Sequence, residues 1–170
     1  MHAEQKPSRL QSFWRRRVIG LIVAQLTQGV SPEKIALTIA LGSTIAIFPI
    51  MGSTTVLCLI VGVWCKLNQP IIQFVNWLVW PLQIVFIPIF VRMGEWIVRA
   101  KPVPFSVPEL LEKFRASPGK FMQEFGMTGV HGIIAWSVTA VILIPLLYFI
   151  LLPPLRKLAS LIKLSPRHAD

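Results

Sequence analysis

The sequence predicts an all-α membrane protein: a re-entrant helical hairpin broken by proline and glycine, about two membrane-crossing helices, and amphipathic interfacial helices flanking them. Three observations carry that prediction. Hydrophobic residues make up 54% of the 170 and charged residues only 14%, where soluble chains average about 25% charged. No Asp, Glu, Lys or Arg occurs in 35–65, 67–91 or 127–155, and each block exceeds the roughly 20 apolar residues that cross a hydrocarbon core as a helix. The 17 Lys and Arg outnumber 7 acids, for a net charge of +10, and they flank the apolar blocks. A soluble globular domain and a disordered polar linker are both excluded. In a membrane setting the basic surplus points to anionic lipid headgroups rather than to nucleic acid.

Residues 1–34 form a basic amphipathic N-terminal helix. Leu10, Trp14, Val18 and Leu21 make its apolar stripe, beside Arg9 and the run Arg15, Arg16, Arg17. The segment is expected to stay attached, because Gln25 and Gln28 interrupt the apolar stretch and no small-residue cleavage site follows.

The membrane domain spans 35–152 and begins with a broken hairpin over 35–65. Ser31 is placed to cap its first arm, Pro32 suits the first helical position, and Glu33 complements the positive helix end. Pro49 and Gly52 then break the block. Each arm would rise only about 20 Å, less than the core thickness of about 30 Å, which predicts entry and return on one side. One long kinked span is the competing reading. Thr38, Gly42 and Ala46 on the first arm, and Thr54, Thr55, Cys58, Gly62 and Cys65 on the second, give small-residue faces for close helix approach. Cys58 and Cys65 share such a face and are expected to pack rather than to form a disulfide or bind metal.

Residues 67–91 carry Pro70, Pro81 and Pro88. They read as one kinked crossing from Ile71 to Val91, with a second hairpin folded at Trp80–Pro81 as the alternative. Interfacial helices are expected over 106–126, where Ser106 to Glu109 resembles a capping box and Leu110, Leu111, Phe114, Phe121, Met122 and Phe125 follow, divided by Pro118. A transmembrane helix over 127–152 has Trp136 and Tyr148 at ends compatible with interfacial placement. A basic tail, 153–170, closes the chain, with Leu155, Leu158, Ala159 and Ile162 on one face. The amphipathic segments fit a role as lids on the bundle as well as a place on the membrane.

Residues 1–34 hold six Lys and Arg and 156–170 hold four, which puts both termini on the cytoplasmic side of the membrane. Residues 92–126 then lie outside, although the six basic residues there work against it.

Polar groups at membrane depth need partners. Gln69, Gln73, Asn76, Trp80 and Gln83 recur every three or four residues and share one helical stripe if the helix continues past Pro81. Glue between helices is one role for that stripe; a polar path or headgroup site is the other. The helix starting near Ser53 would offer its positive end and three hydroxyls to an anion. The candidate binding residues are therefore Pro49, Gly52, Ser53, Thr54, Thr55, Asn68, Gln73, Asn76 and Gln83.

Phe48-Pro49-x-x-Gly52-x-x-Thr55, Leu67-Asn68-x-Pro70, Asn76 with Pro81, and Arg92-x-Gly94-Glu95 together resemble the bacterial membrane family called domain of unknown function 2062, over roughly residues 10–150. Trp80-Pro81-Leu82-Gln83 stands where the family commonly shows Asn-Pro-x-Thr, resembling a variant branch. The resemblance implies a small integral membrane protein of the bacterial inner membrane, with no established activity.

No catalytic constellation is evident, since His131 is the one titratable side chain inside the apolar blocks besides the thiols and Tyr148. Arg92 and Glu95 read as an i, i+3 anchoring pair. No cofactor and no metal are expected. Membrane lipids with anionic headgroups are the expected partners, and self-association is compatible with the small-residue faces. Two functions fit: binding or translocating an anionic lipid or lipid-linked phosphate at the broken helix, or a non-transporting adaptor that organises partner proteins or lipids.

Overall fold

The computed structural model describes residues 20–101, 112 and 115–164, and among them the regular elements are helices throughout. Residues 20–27 form α1. Gly29, at φ +88°, closes it in a left-handed turn in which the Val30 amide donates to the Gln25 carbonyl at 3.1 Å. The chain re-enters helix at once. Helix α2 is Pro32–Ala46, with Ser31 as its N-cap accepting from the Lys34 amide at 3.3 Å, Pro32 in the first turn and Glu33 beside it, as local capping rules predict.

Helix α3 is Thr54–Trp64 and runs back along α2. Ile45, Cys58, Leu67 and Ile72 form one core cluster, with Leu37, Leu41, Leu57 and Val61 around it. Helix α4, Gln69–Ile97, then runs parallel to α2. The two ends of α2 fix that direction: Ile35 and Ala36 pack with Ile71, Val75, Leu152 and Leu155, whereas Ile47 packs with Phe90 and Ala135. The same contacts make α5, Pro118–Leu164, antiparallel to both. Small residues allow the approach. A Cβ on Gly42 would meet the Ile72 carbonyl oxygen at 3.2 Å, and one on Gly94 would overlap the His131 carbonyl.

Two helices, α4 and part of α5 (Phe125–Ile162), are long and apolar enough to cross a membrane. At 1.5 Å per residue α4 extends about 43 Å, while α2 and α3 extend only about 22 and 16 Å. The hairpin corner between them lies against Gln83, the middle of α4.

Prolines do not divide these helices. Pro81 and Pro88 lie inside α4, and Pro145, Pro153 and Pro154 inside α5. All five rings are exposed, as are the residues four positions earlier, Trp77, Ile84, Val141, Phe149 and Ile150. The lost hydrogen bonds therefore open on the outer, convex side and leave the packed side continuous. For the same reason the alternative hairpin at Trp80–Pro81 does not form. One helix likewise runs through both boundaries expected around 127–152, and joins the described parts of the interfacial and tail segments to the crossing.

Cys58 is buried, but Cys65 is exposed because α3 ends at Trp64. The turn there places Lys66 at φ +52°, and the Leu67 amide donates to the Gly62 carbonyl at 2.8 Å. The arginine run at 15–17, the capping box at 106–109, Leu110, Leu111, Phe114, the side chains of Phe121 and Met122, and residues 165–170 lie outside the described residues.

Candidate functional site

The break between α2 and α3 frees backbone groups that must be met elsewhere. Ile47 and Phe48 leave helical geometry, Pro49 has no amide hydrogen, and Gly52, at φ +82°, turns the chain toward α3. Pro49 is buried against α5, where a Cβ on Gly132 would lie 3.3 Å from it.

Three side chains close the corner. Gln83 Nε2 donates to the Phe48 carbonyl at 2.7 Å and to the Ile50 carbonyl at 3.2 Å. Ser53 Oγ also donates to the Ile50 carbonyl, at 2.8 Å. Trp136 Nε1 reaches across from α5 to the Thr44 carbonyl at 2.9 Å, with its ring edge-on to Phe48 at 4.8 Å. The structure half-buries Trp136 at the corner, because an indole N–H in an apolar environment needs an acceptor and α2 has one to spare.

The amide stripe lies where its period predicts. Gln69 Nε2 donates to the Leu59 carbonyl at 3.2 Å, Gln73 Nε2 to the Thr55 carbonyl at 3.2 Å, and Asn76 Nδ2 to Thr55 Oγ1 at 3.4 Å. With Gln83 these amides clasp the hairpin along its length. Trp80 stays exposed. Asn68 stands apart from the corner: its Oδ1 caps α4 by accepting from the Ile71 amide at 3.1 Å, and its Nδ2 donates to Gln25 Oε1 on α1.

Of the nine predicted site residues, the structure thus gathers Pro49, Gly52, Ser53, Thr54, Thr55, Gln73, Asn76 and Gln83 around the hairpin, and assigns Asn68 to a helix cap. Ser53 and Asn76 have their donors engaged, and Thr54 is buried. Sequence reasoning missed Trp136 and Gln25. The one available signal for Trp136 was its ring nitrogen inside an uncharged block.

Two kinds of polar capacity remain. Only an amide NH2 end can meet a carbonyl, so the stripe must turn its oxygens away from the hairpin backbone. Gln69 Oε1, Gln73 Oε1, Asn76 Oδ1 and Gln83 Oε1 are buried without a hydrogen-bond partner. That row accepts and does not donate. The second capacity is the start of α3, where Ser53 supplies no side-chain cap and Met51, Gly52 and Thr55 are exposed. Its first-turn amides carry the positive helix end. Among the described residues no group of His, Cys, Asp and Glu is placed to hold a metal ion.

A family model described as an uncharacterized protein conserved in bacteria (DUF2062) matches residues 15–161. No curated protein and no solved structure matches the chain.

Proposed function

This chain belongs to that uncharacterised bacterial family, and on that premise we propose that it is an integral membrane protein whose α2–α3 corner receives the headgroup of an anionic lipid or lipid-linked phosphate. The hairpin enters the bilayer as a re-entrant element from the face that holds both termini, a cytoplasmic face by its basic residues, and turns back near mid-depth. One observation supports this above the others: α3 begins beside the middle of α4 without a side-chain cap, flanked by exposed Met51, Gly52 and Thr55. In hydrocarbon each bare amide costs several kcal/mol, so the corner draws in water or a phosphate oxygen. A helix N-terminus favours the phosphate.

The test uses liposomes that carry labelled phosphatidylglycerol and purified protein. Lipid transfer should exceed that of empty liposomes, and Ser53→Asp should abolish it, because a fixed carboxylate would occupy the bare amides while capping the helix. No transfer by the native chain, together with unchanged phosphatidylglycerol binding by Ser53→Asp, would refute the reading.

A second reading, the non-transporting adaptor, is favoured by a separate observation: Gln69, Gln73, Asn76 and Gln83 all have their donors engaged with the hairpin. An adaptor should keep its cellular function when Asn76 becomes leucine and lose it when the basic ends are removed.

A further inference from the structure

A groove of about 550 Å³ runs between the first turns of α2 and the stretch of α5 that precedes Arg156, at the end of α2 remote from the corner. Glu33 and Lys34 line one end of it, and Leu37, Ile144, Pro145 and Phe149 line the rest. The antiparallel course of the two helices sets that polarity. Glu33 Oε1 lies 2.9 Å from Arg156 Nε, and Ile144 precedes Arg156 by twelve residues of continuous helix, so the groove descends up to about 18 Å below the ion pair. Half of a hydrocarbon core is about 15 Å thick. The groove therefore has the length of one leaflet, with its charges at one end.

Lys34 is exposed, and its side chain makes no hydrogen bond or ion pair among the described residues. The Glu33 carboxylate beside it is already met by Arg156. An ammonium without a partner thus stands at the head of an apolar channel. Farther down, Phe149 is 67% exposed and Pro145 is exposed next to it, and a proline offers no amide hydrogen to a polar occupant.

We infer that this groove holds one acyl chain of an anionic phospholipid, with the headgroup phosphate at Lys34 and the chain along Leu37, Ile144, Pro145 and Phe149. Basic pockets between membrane helices on the cytoplasmic side take such headgroups. A zwitterionic lipid supplies the same chain but brings its own ammonium to Lys34, and a free fatty acid lacks the phosphate. The inference rests on the membrane setting of the proposed function and on none of the corner residues.

The full chain, purified into phosphatidylcholine nanodiscs, is irradiated with phosphatidylglycerol that carries a diazirine midway along one acyl chain, and the labelled residues are mapped by mass spectrometry. Label should concentrate at Leu37 and residues 144–149, above its level at Val56, Leu59 and Ile60 on the exposed face of α3. Enriching the discs in unlabelled phosphatidylglycerol should suppress it more than enriching them in phosphatidylethanolamine or palmitate. Lys34→Gln should lower the labelling about fivefold, the worth of roughly one cationic contact with a headgroup, and Lys34→Arg should restore most of it. Phe149→Ala should lower it while keeping phosphatidylglycerol preferred over phosphatidylethanolamine. Both side chains are exposed, so neither replacement strands a buried group, and an unchanged unfolding midpoint serves as the folding control. Ser53→Asp should leave the labelling intact, which separates the groove from the corner. Label spread evenly over the exposed apolar faces, equal suppression by phosphatidylglycerol and by either competitor, or unchanged labelling in both Lys34→Gln and Phe149→Ala, would overturn the inference.

Discussion

Replacing Gln83 by leucine tests whether the corner is held by hydrogen bonding or by apolar packing alone. Gln83 is fully buried and donates at 2.7 Å and 3.2 Å to two carbonyls that the helix break has freed. Side-chain hydrogen bonds in membranes average about 0.6 kcal/mol and reach about 1.7. The shorter bond belongs near the top of that range and the longer near the mean, which sums to about 2.3 kcal/mol. Leucine also removes the unpartnered Oε1, and that relief offsets part of the loss. The expected cost is about 1.5 kcal/mol, or roughly a tenfold shift in the unfolding equilibrium. Asn76→Leu, on the same stripe two turns earlier, removes one bond of 3.4 Å and one buried unpartnered oxygen. It should fall within about 0.5 kcal/mol of the native chain. Both variants are measured by reversible denaturation in mixed micelles of fixed composition. Equal destabilisation by the two, or a neutral Gln83→Leu, would refute the assignment of the corner to Gln83.

Gly94→Ala should cost about 3 kcal/mol in the same assay, because its Cβ would overlap the His131 carbonyl and the two backbones must part; unchanged stability would mean that α4 and α5 do not cross there. The Glu33 carboxyl is held below its ordinary value of 4.5, first by its own backbone amide and then by Arg156, 2.9 Å away. A depressed carboxyl stabilises above its unfolded value and loses that contribution as pH falls through the folded one. Protection of the amides in residues 30–34, with the intrinsic pH dependence of exchange divided out, should therefore fall as pH is lowered below about 4.5, relative to Glu33→Gln, which lacks that pH response. A water-soluble maleimide should modify Cys65 in the folded protein and reach Cys58 only after denaturation; equal rates would contradict the packing of α3.

Local rules in the sequence went far at α2, where Ser31, Pro32 and Glu33 each act on the next few amides and need no tertiary information. The stripe from Gln69 to Gln83 was also legible, because periodicity assigns a face before any partner is known. The identity of the partner was not: Gln83 meets carbonyls 33 and 35 residues away, and the Trp136 bond to Thr44 spans 92, separations on which no spacing pattern bears. The proline-containing helices were hidden for a different reason. A proline on the packed side of a helix breaks it, whereas one on the outer side only bends it, and five outward rings here let α4 and α5 run on. Asn68 was read for chemistry because it is polar within an apolar block. Its position immediately before Gln69 and Pro70 already offered the simpler role of a cap.

The short reach of α2 and α3 gives the described residues an uneven outline. Level with Ser31 and Lys66, α1 packs beside the four longer helices; past Gln83, α2 and α3 have ended and α4 and α5 continue. Were α4 and α5 to cross a bilayer, the described helices would present four or more neighbours to the lipid on one side of the corner and two on the other, so the depth of a single turn in the chain sets how the helical mass is shared along the crossing.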